Sequence, residues 1–172
     1  MVAGVFRKLS DILPSELKRR VYFSIFHSLL SYASCIWGNS CTLNLMNTIF
    51  RTQDRAIKNL FGFDRLRHSS EIYEETKIHC IKQQVKIDLV IMIHQIRNGM
   101  IHTNTYYQRN FQVHDHNTRN LQSIRRDRIN TTRYGLNSVA FQGISLYNDI
   151  INIIDLNNND FKKRIKEHYS YF

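Results

Sequence analysis

From Ile81 to Arg97 the sequence is apolar almost all the way round a helical wheel, with Ile87, Leu89, Val90, Ile91, Met92, Ile93 and Ile96 leaving no wide polar stripe. Such a helix holds in water only when neighbours cover it, so it belongs at the centre of a core, closed by Asn98-Gly99. Asp88 and His94 are its odd residues, and a plain hydrogen-bonded core role suits both better than catalysis. The 172 residues include one Pro and six Gly, and no segment is dominated by Ser, Gly or Pro. Neither a flexible linker nor a low-complexity tail is indicated, and a mainly α fold is expected.

Other stripes recur at helical spacing. Pro14 with Ser15-Glu16-Leu17 opens a helix whose apolar positions are Leu17, Val21, Ile25, Leu29, Tyr32 and Ile36, ending near Gly38-Asn39. The stretch from Val21 to Trp37 is apolar enough to raise a membrane span, but His27 and several serines and tyrosines interrupt it, and a buried helix is the expected outcome. Thr42 caps a second helix with its stripe at Leu45, Ile49, Gln53, Ala56 and Leu60, stopped by Gly62. A short helix begins at Ser69-Ser70-Glu71. From Met100 to Asn137 the periodicity fades into loop, with a small β-hairpin suggested around Leu121-Gln122-Ser123-Ile124 and Thr131-Thr132-Arg133-Tyr134. Two further helices follow. One carries Val139, Phe141, Ile144, Tyr147 and Ile151; the other, after the capping cluster Asn157 to Asp160, buries Phe161, Ile165 and Tyr169.

The formal net charge is +10. Residues 1–66 hold nine Lys and Arg against four acids and the remainder fifteen against ten, so the excess is spread evenly, as suits a long polyanionic track such as a nucleic-acid backbone. On the Thr42–Gly62 helix, Arg51, Arg55 and Lys58 share one face away from the apolar stripe; taken alone the trio reads first as a solvated helix face, and the overall charge of the chain turns it into a candidate phosphate-binding surface. Arg119, Arg125, Arg126, Arg128 and Arg133 form the densest cation group, flanked by Tyr106, Tyr107, Phe111 and Tyr134. Arginine forks grip phosphates and rings stack on unpaired bases, although a basic loop folded over the core would have the same composition. Lys162 and Lys163 add charge on the last helix.

Catalytic constellations are missing from the sequence. There is no adjacent Asp-Asp pair to hold two metal ions and no Gly-rich phosphate loop, so no enzymatic activity and no cofactor are expected. His114-Asp115-His116 is the best metal candidate but lacks further ligands, and Cys35, Cys41 and Cys80 match neither a zinc knuckle nor a disulfide scaffold. The cysteines and the N-terminus suggest a nuclear or cytoplasmic rather than secreted protein.

Several ordered pieces carry a family resemblance. Gly4-Val5-Phe6-Arg7-Lys8-Leu9, Leu13-Pro14, the helix end Tyr32-Ala33-Ser34-Cys35-Ile36-Trp37-Gly38 and Gln53-Asp54-Arg55-Ala56-Ile57 are followed by His116-Asn117-Thr118-Arg119, Phe141-Gln142-Gly143, Leu146-Tyr147-Asn148 and Phe161-Lys162-Lys163. In this order they resemble the region after the palm of reverse transcriptases from non-LTR retrotransposons, the jockey-like group especially. The resemblance implies a helical thumb-like region over residues 1–66 and a C-terminal helical and loop region over 67–172, with the upstream endonuclease, fingers and palm absent. It implies a non-catalytic fragment that binds RNA, single-stranded DNA or an RNA–DNA hybrid, with Arg51, Arg55 and Lys58 facing the duplex, and with other reverse transcriptase chains as a further class of partner. Where relatives carry an aromatic-Gln-Gly-Pro run and Leu-Trp-Asn, this chain has Ile144 and Tyr147. A helical protein-interaction module and a non-functional remnant of a mobile element are the alternatives.

Overall fold

The computed structural model describes residues 2–103, 107–113, 123–126, 128–131, 135–151 and 160–170. The fold is mainly α, with no sheet among the described residues. In chain order the helices are α1 (Val2–Ser10), α2 (Ser15–Val21), a π-helical stretch (Tyr22–His27), α3 (Ser28–Ser31), α4 (Ser34–Ser40), α5 (Leu43–Phe61), α6 (Ser69–Thr76), α7 (Ile81–Arg97), α8 (Asn110–Val113), α9 (Val139–Ile151) and α10 (Phe161–Ser170). They form two compact units, one from Met1–Ser34 with Cys41–Val85, the other from Cys35–Ser40 with Lys86–Tyr171. No helix among the described residues is long and apolar enough to cross a membrane.

The first unit is organised by α5. The Thr42 hydroxyl accepts from the Leu45 amide at 3.3 Å and starts the helix, and Gly62, at φ 77°, ends it in the left-handed conformation that glycine adopts without penalty. Ala56, Ile57 and Leu60 bury against Phe6, Tyr22, Ile72 and Ile78. Each fully buried Ile or Leu there stabilises the unit by about 2 kcal/mol relative to exposure. Gln53, buried on the same face, is its polar hub. Its side-chain amide donates to the Tyr22 hydroxyl at 2.9 Å and to the His79 carbonyl at 3.0 Å, while its carbonyl accepts from the Ile81 amide at 2.7 Å. One side chain thereby ties the π-helical stretch, α5 and the start of α7 together. Arg19 adds a clamp: its guanidinium donates to the carbonyls of Thr76 and Lys77 and covers the Phe23 ring, capping the end of α6.

Two expectations for the segment from Pro14 to Gly38 are corrected. The helix is not continuous: the Ser28 amide reaches back five residues to the Phe23 carbonyl in the π-helical stretch, and the chain breaks at Tyr32 (ψ 114°) and Ala33 (φ 51°) before α4. Nor is the expected stripe buried, since Leu17 is 40% exposed, Ile25 46%, Leu29 72%, Tyr32 81% and Ile36 61%. The segment is apolar on two faces, and the aromatic one wins the interior. Tyr22 packs its ring on Phe23 and Phe26, and Phe26 packs on Phe6, burying larger surfaces than the aliphatic face offers. Leu45, at the start of α5, is likewise half exposed.

In the second unit Ile87, Val90 and Ile93 of α7 meet Ile144 and Tyr147 of α9 and Phe161, Ile165 and Tyr169 of α10, as the periodicity predicts, while Ile150 joins them from outside the expected stripe and Val139, Phe141 and Ile151 are only half-buried. Gly143 permits the close approach of α9 to α7: a Cβ there would lie 2.8 Å from Ile93 Cγ1. His94 is buried, stacked on Phe161 at 3.7 Å between ring centres, with Nε2 2.9 Å from the Asn98 amide nitrogen and Nδ1 3.4 Å from the Tyr147 hydroxyl. Arg97 donates to that hydroxyl at 2.7 Å, so His94 has the core role expected. Ile124 is held by Asn148, which accepts from its amide and donates to its carbonyl, both at 2.9 Å. Of the suggested hairpin, residues 121–122 and 132–134 lie outside the described residues; Ile124 makes an antiparallel bridge with Arg109.

Candidate nucleic-acid interface

Arg51, Arg55 and Lys58 come together as their spacing predicts. With Asp54, Asn59 and Arg65 they line a cleft of about 500 Å³ on the first unit. Helical rise places Arg51 and Arg55 about 6 Å apart along the axis, and Lys58 about 4.5 Å further on. The four cations face one carboxylate. Among the described residues no ion pair or side-chain hydrogen bond engages the guanidinium groups of Arg51, Arg55 or Arg65, and the three side chains are exposed.

Lys58 is held differently. Its ammonium lies 3.0 Å from Asp54 Oδ2 and donates to the Arg65 carbonyl at 3.1 Å, with the two side chains only 12% and 15% exposed. Arg65 is the cation of the cleft that sequence spacing missed, because it sits in a loop outside the helical register. Its signal was Gly62: the amides of Gly62 and Phe63 both return to the Lys58 carbonyl at 3.0 Å, turning the chain back so that residue 65 reaches Lys58.

Asp54 Oδ1, on a residue that lines the cleft, and the Tyr73 hydroxyl are buried and have no hydrogen-bond partner among the described residues. Tyr73 packs on Phe50, one turn before Asp54 on α5, with ring centres 5.8 Å apart. Burial, and then the Asp54 charge, push the Tyr73 hydroxyl well above the usual tyrosine range, so it stays a protonated donor. Burial likewise raises Tyr22 to about 12, against a smaller opposing effect from Gln53.

In the second unit Arg125, Arg126 and Arg128 are exposed. Arg126 donates to the Ser145 hydroxyl at 3.2 Å and lies over the Phe141 ring at 5.7 Å, which fixes it against α9. Lys162 and Lys163 project from α10 beside the buried Phe161. Phe111 is exposed with the Arg109 guanidinium over its ring, and Tyr107 is half-buried. Arg119, Arg133, Tyr106, Tyr134 and the His114-Asp115-His116 run lie outside the described residues. Among the described residues no three His, Cys, Asp or Glu side chains are placed to hold a metal ion. Cys35, Cys41 and Cys80 are free thiols, and burial raises the first two, with Asp88 adding to the effect on Cys35. Compared with protein-family models, curated proteins and solved structures, the chain matches none.

Proposed function

We propose that the chain is a non-catalytic nucleic-acid-binding module, equivalent to the thumb and downstream region of a non-LTR reverse transcriptase, that holds RNA, single-stranded DNA or an RNA–DNA hybrid by its phosphates. The observation that carries this reading is the cleft, where three guanidinium groups without partners among the described residues and one anchored ammonium converge from a single helix and its return loop. Guanidinium forks suit phosphate oxygens, and a concave cationic surface concentrates a polyanion. The resemblance supports it through Gln53 and Arg55, since the first ties the unit's helices together and the second lines the cleft. Arg125, Arg126, Arg128, Lys162 and Lys163 would extend the charged track.

Binding of the folded protein to a labelled RNA–DNA hybrid and to single-stranded RNA across a salt series tests the proposal. Log affinity falling linearly with log salt, with little dependence on sequence, is expected. Absence of binding by folded protein contradicts it.

The outward-facing Leu17, Ile25, Leu29 and Tyr32 favour a second reading, a helical module that packs on another protein such as an intact reverse transcriptase chain. Co-sedimentation with a purified polymerase core, abolished by Leu29→Glu, would support that reading. Co-sedimentation unaffected by the substitution would remove this face from it.

A further inference from the structure

Among the described residues, Lys58 is the one cation of the cleft engaged by a partner. Its ammonium is neutralised by Asp54, so a phosphate entering the cleft must compete with a carboxylate 3.0 Å away. Drawing Lys58 towards a ligand would leave Asp54 as a buried carboxylate without its counter-ion, which is costly unless another donor takes over. Tyr73 carries an O–H donor without a hydrogen-bond partner among the described residues. Phe50, Asp54 and Lys58 succeed one another at four-residue steps along α5, and Tyr73 packs on Phe50 with its hydroxyl buried and unpartnered. Asp54 Oδ1 is also buried and unpartnered, while Oδ2 faces Lys58. An O–H donor and a carboxylate acceptor are thus left without partners among the described residues, the carboxylate in the cleft lining and the hydroxyl on a ring packed one helical turn away at Phe50, and buried groups of this kind are seldom left so.

We propose that Tyr73 is a positioning residue for phosphate binding: when an anion draws the Lys58 ammonium into the cleft, the Tyr73 hydroxyl donates to Asp54 Oδ1 and replaces Lys58 as the partner of that carboxylate. No proton changes hands. One hydrogen bond forms inside the protein, one ion pair loosens, and Lys58 makes a charge-assisted hydrogen bond to a phosphate oxygen. The raised Tyr73 hydroxyl is consistent with this, because it keeps its proton and feels the Asp54 charge. The inference rests on reading the cleft as a phosphate site, and it makes Lys58 a ligand-dependent cation beside the freely available Arg51, Arg55 and Arg65.

The test is a coupling measurement with the RNA–DNA hybrid as probe, using the full chain, Tyr73→Phe, Lys58→Met and the double variant, each across a salt series. Tyr73→Phe removes only the unpartnered hydroxyl. It is expected to weaken binding about threefold, as loss of one supporting hydrogen bond does, and to reduce the salt slope by up to about 0.9, one phosphate contact. In the Lys58→Met background the same substitution is expected to change nothing. An unaltered Tyr73→Phe affinity overturns the exchange while leaving the phosphate cleft intact, as does an equal effect in both backgrounds. Loss of all binding by the unsubstituted protein overturns the cleft reading itself and the exchange with it. A second readout needs no substitution: the ring ζ-carbon resonance of Tyr73 should move when hybrid is added to wild-type protein, and an unmoved resonance contradicts the proposal.

Discussion

In the first unit the candidate cations rise from the face of a 19-residue helix whose opposite face is locked into the core, and Lys58 is pinned by Asp54 and by the Arg65 carbonyl. In the second unit Arg125 and Arg128 stand exposed on a short irregular segment, Lys162 and Lys163 lie in the first turn of α10, and Arg126 is the member fixed by Ser145 and Phe141. The polar network of that unit, His94 with Tyr147, Arg97 and Asn98, instead serves its core. Equal net charge in residues 1–66 and 67–172 therefore does not mean equal binding surfaces. Cations gathered at fixed intervals around one cleft lose less freedom on meeting a phosphate track than cations scattered over separate elements, so the cleft should dominate affinity.

The largest test of the contrast is whether the helix bearing the cleft depends on its buried hub. Gln53→Leu should destabilise the first unit by about 3 kcal/mol, because it strands the Tyr22 hydroxyl and the Ile81 amide in the interior and breaks the bond to the His79 carbonyl. Amide exchange at Ile81 should accelerate accordingly, and near-wild-type protection would mean that α5 is held by apolar packing alone. Gly143→Ala addresses the second unit, where the added methyl meets Ile93 and should cost about 2 kcal/mol through overpacking. Trp37, the single tryptophan, belongs to that unit and supplies the fluorescence signal for urea unfolding. An unshifted midpoint would show that α7 and α9 have room to spare. The smallest effect is expected from Arg125→Ala, Arg126→Ala and Arg128→Ala combined, about fivefold weaker binding at low salt, of the size given by rim charges. A hundredfold loss would invert the comparison and move the main interface to the second unit.

The uneven legibility of the sequence has physical causes. The limits of α5 could be read from Thr42 and Gly62, and the buried face of α10 from Phe161, Ile165 and Tyr169, because caps and a single-sided stripe leave one solution. The convergence of Arg51, Arg55 and Lys58 follows from helical spacing alone. The segment after Pro14 was not decidable in this way, since it is apolar on two faces and periodicity does not tell which one the core selects. Its break at Ala33 has no Gly or Pro to announce it. Arg65 reached the cleft through a loop return that depends on three-dimensional contacts with Lys58, and Tyr73 matters through an orphaned hydroxyl that no sequence pattern marks.

The measurement that bears most directly on the cleft is the salt dependence of hybrid binding by the Arg51→Ala, Arg55→Ala, Arg65→Ala variant beside the wild type. If the cleft is the phosphate site, the slope of log affinity against log salt falls by about 2 to 3, the equivalent of three phosphate contacts, and affinity at low salt drops about a hundredfold while the helical content is unchanged. A folded variant with the wild-type slope would place the phosphates elsewhere and contradict the account.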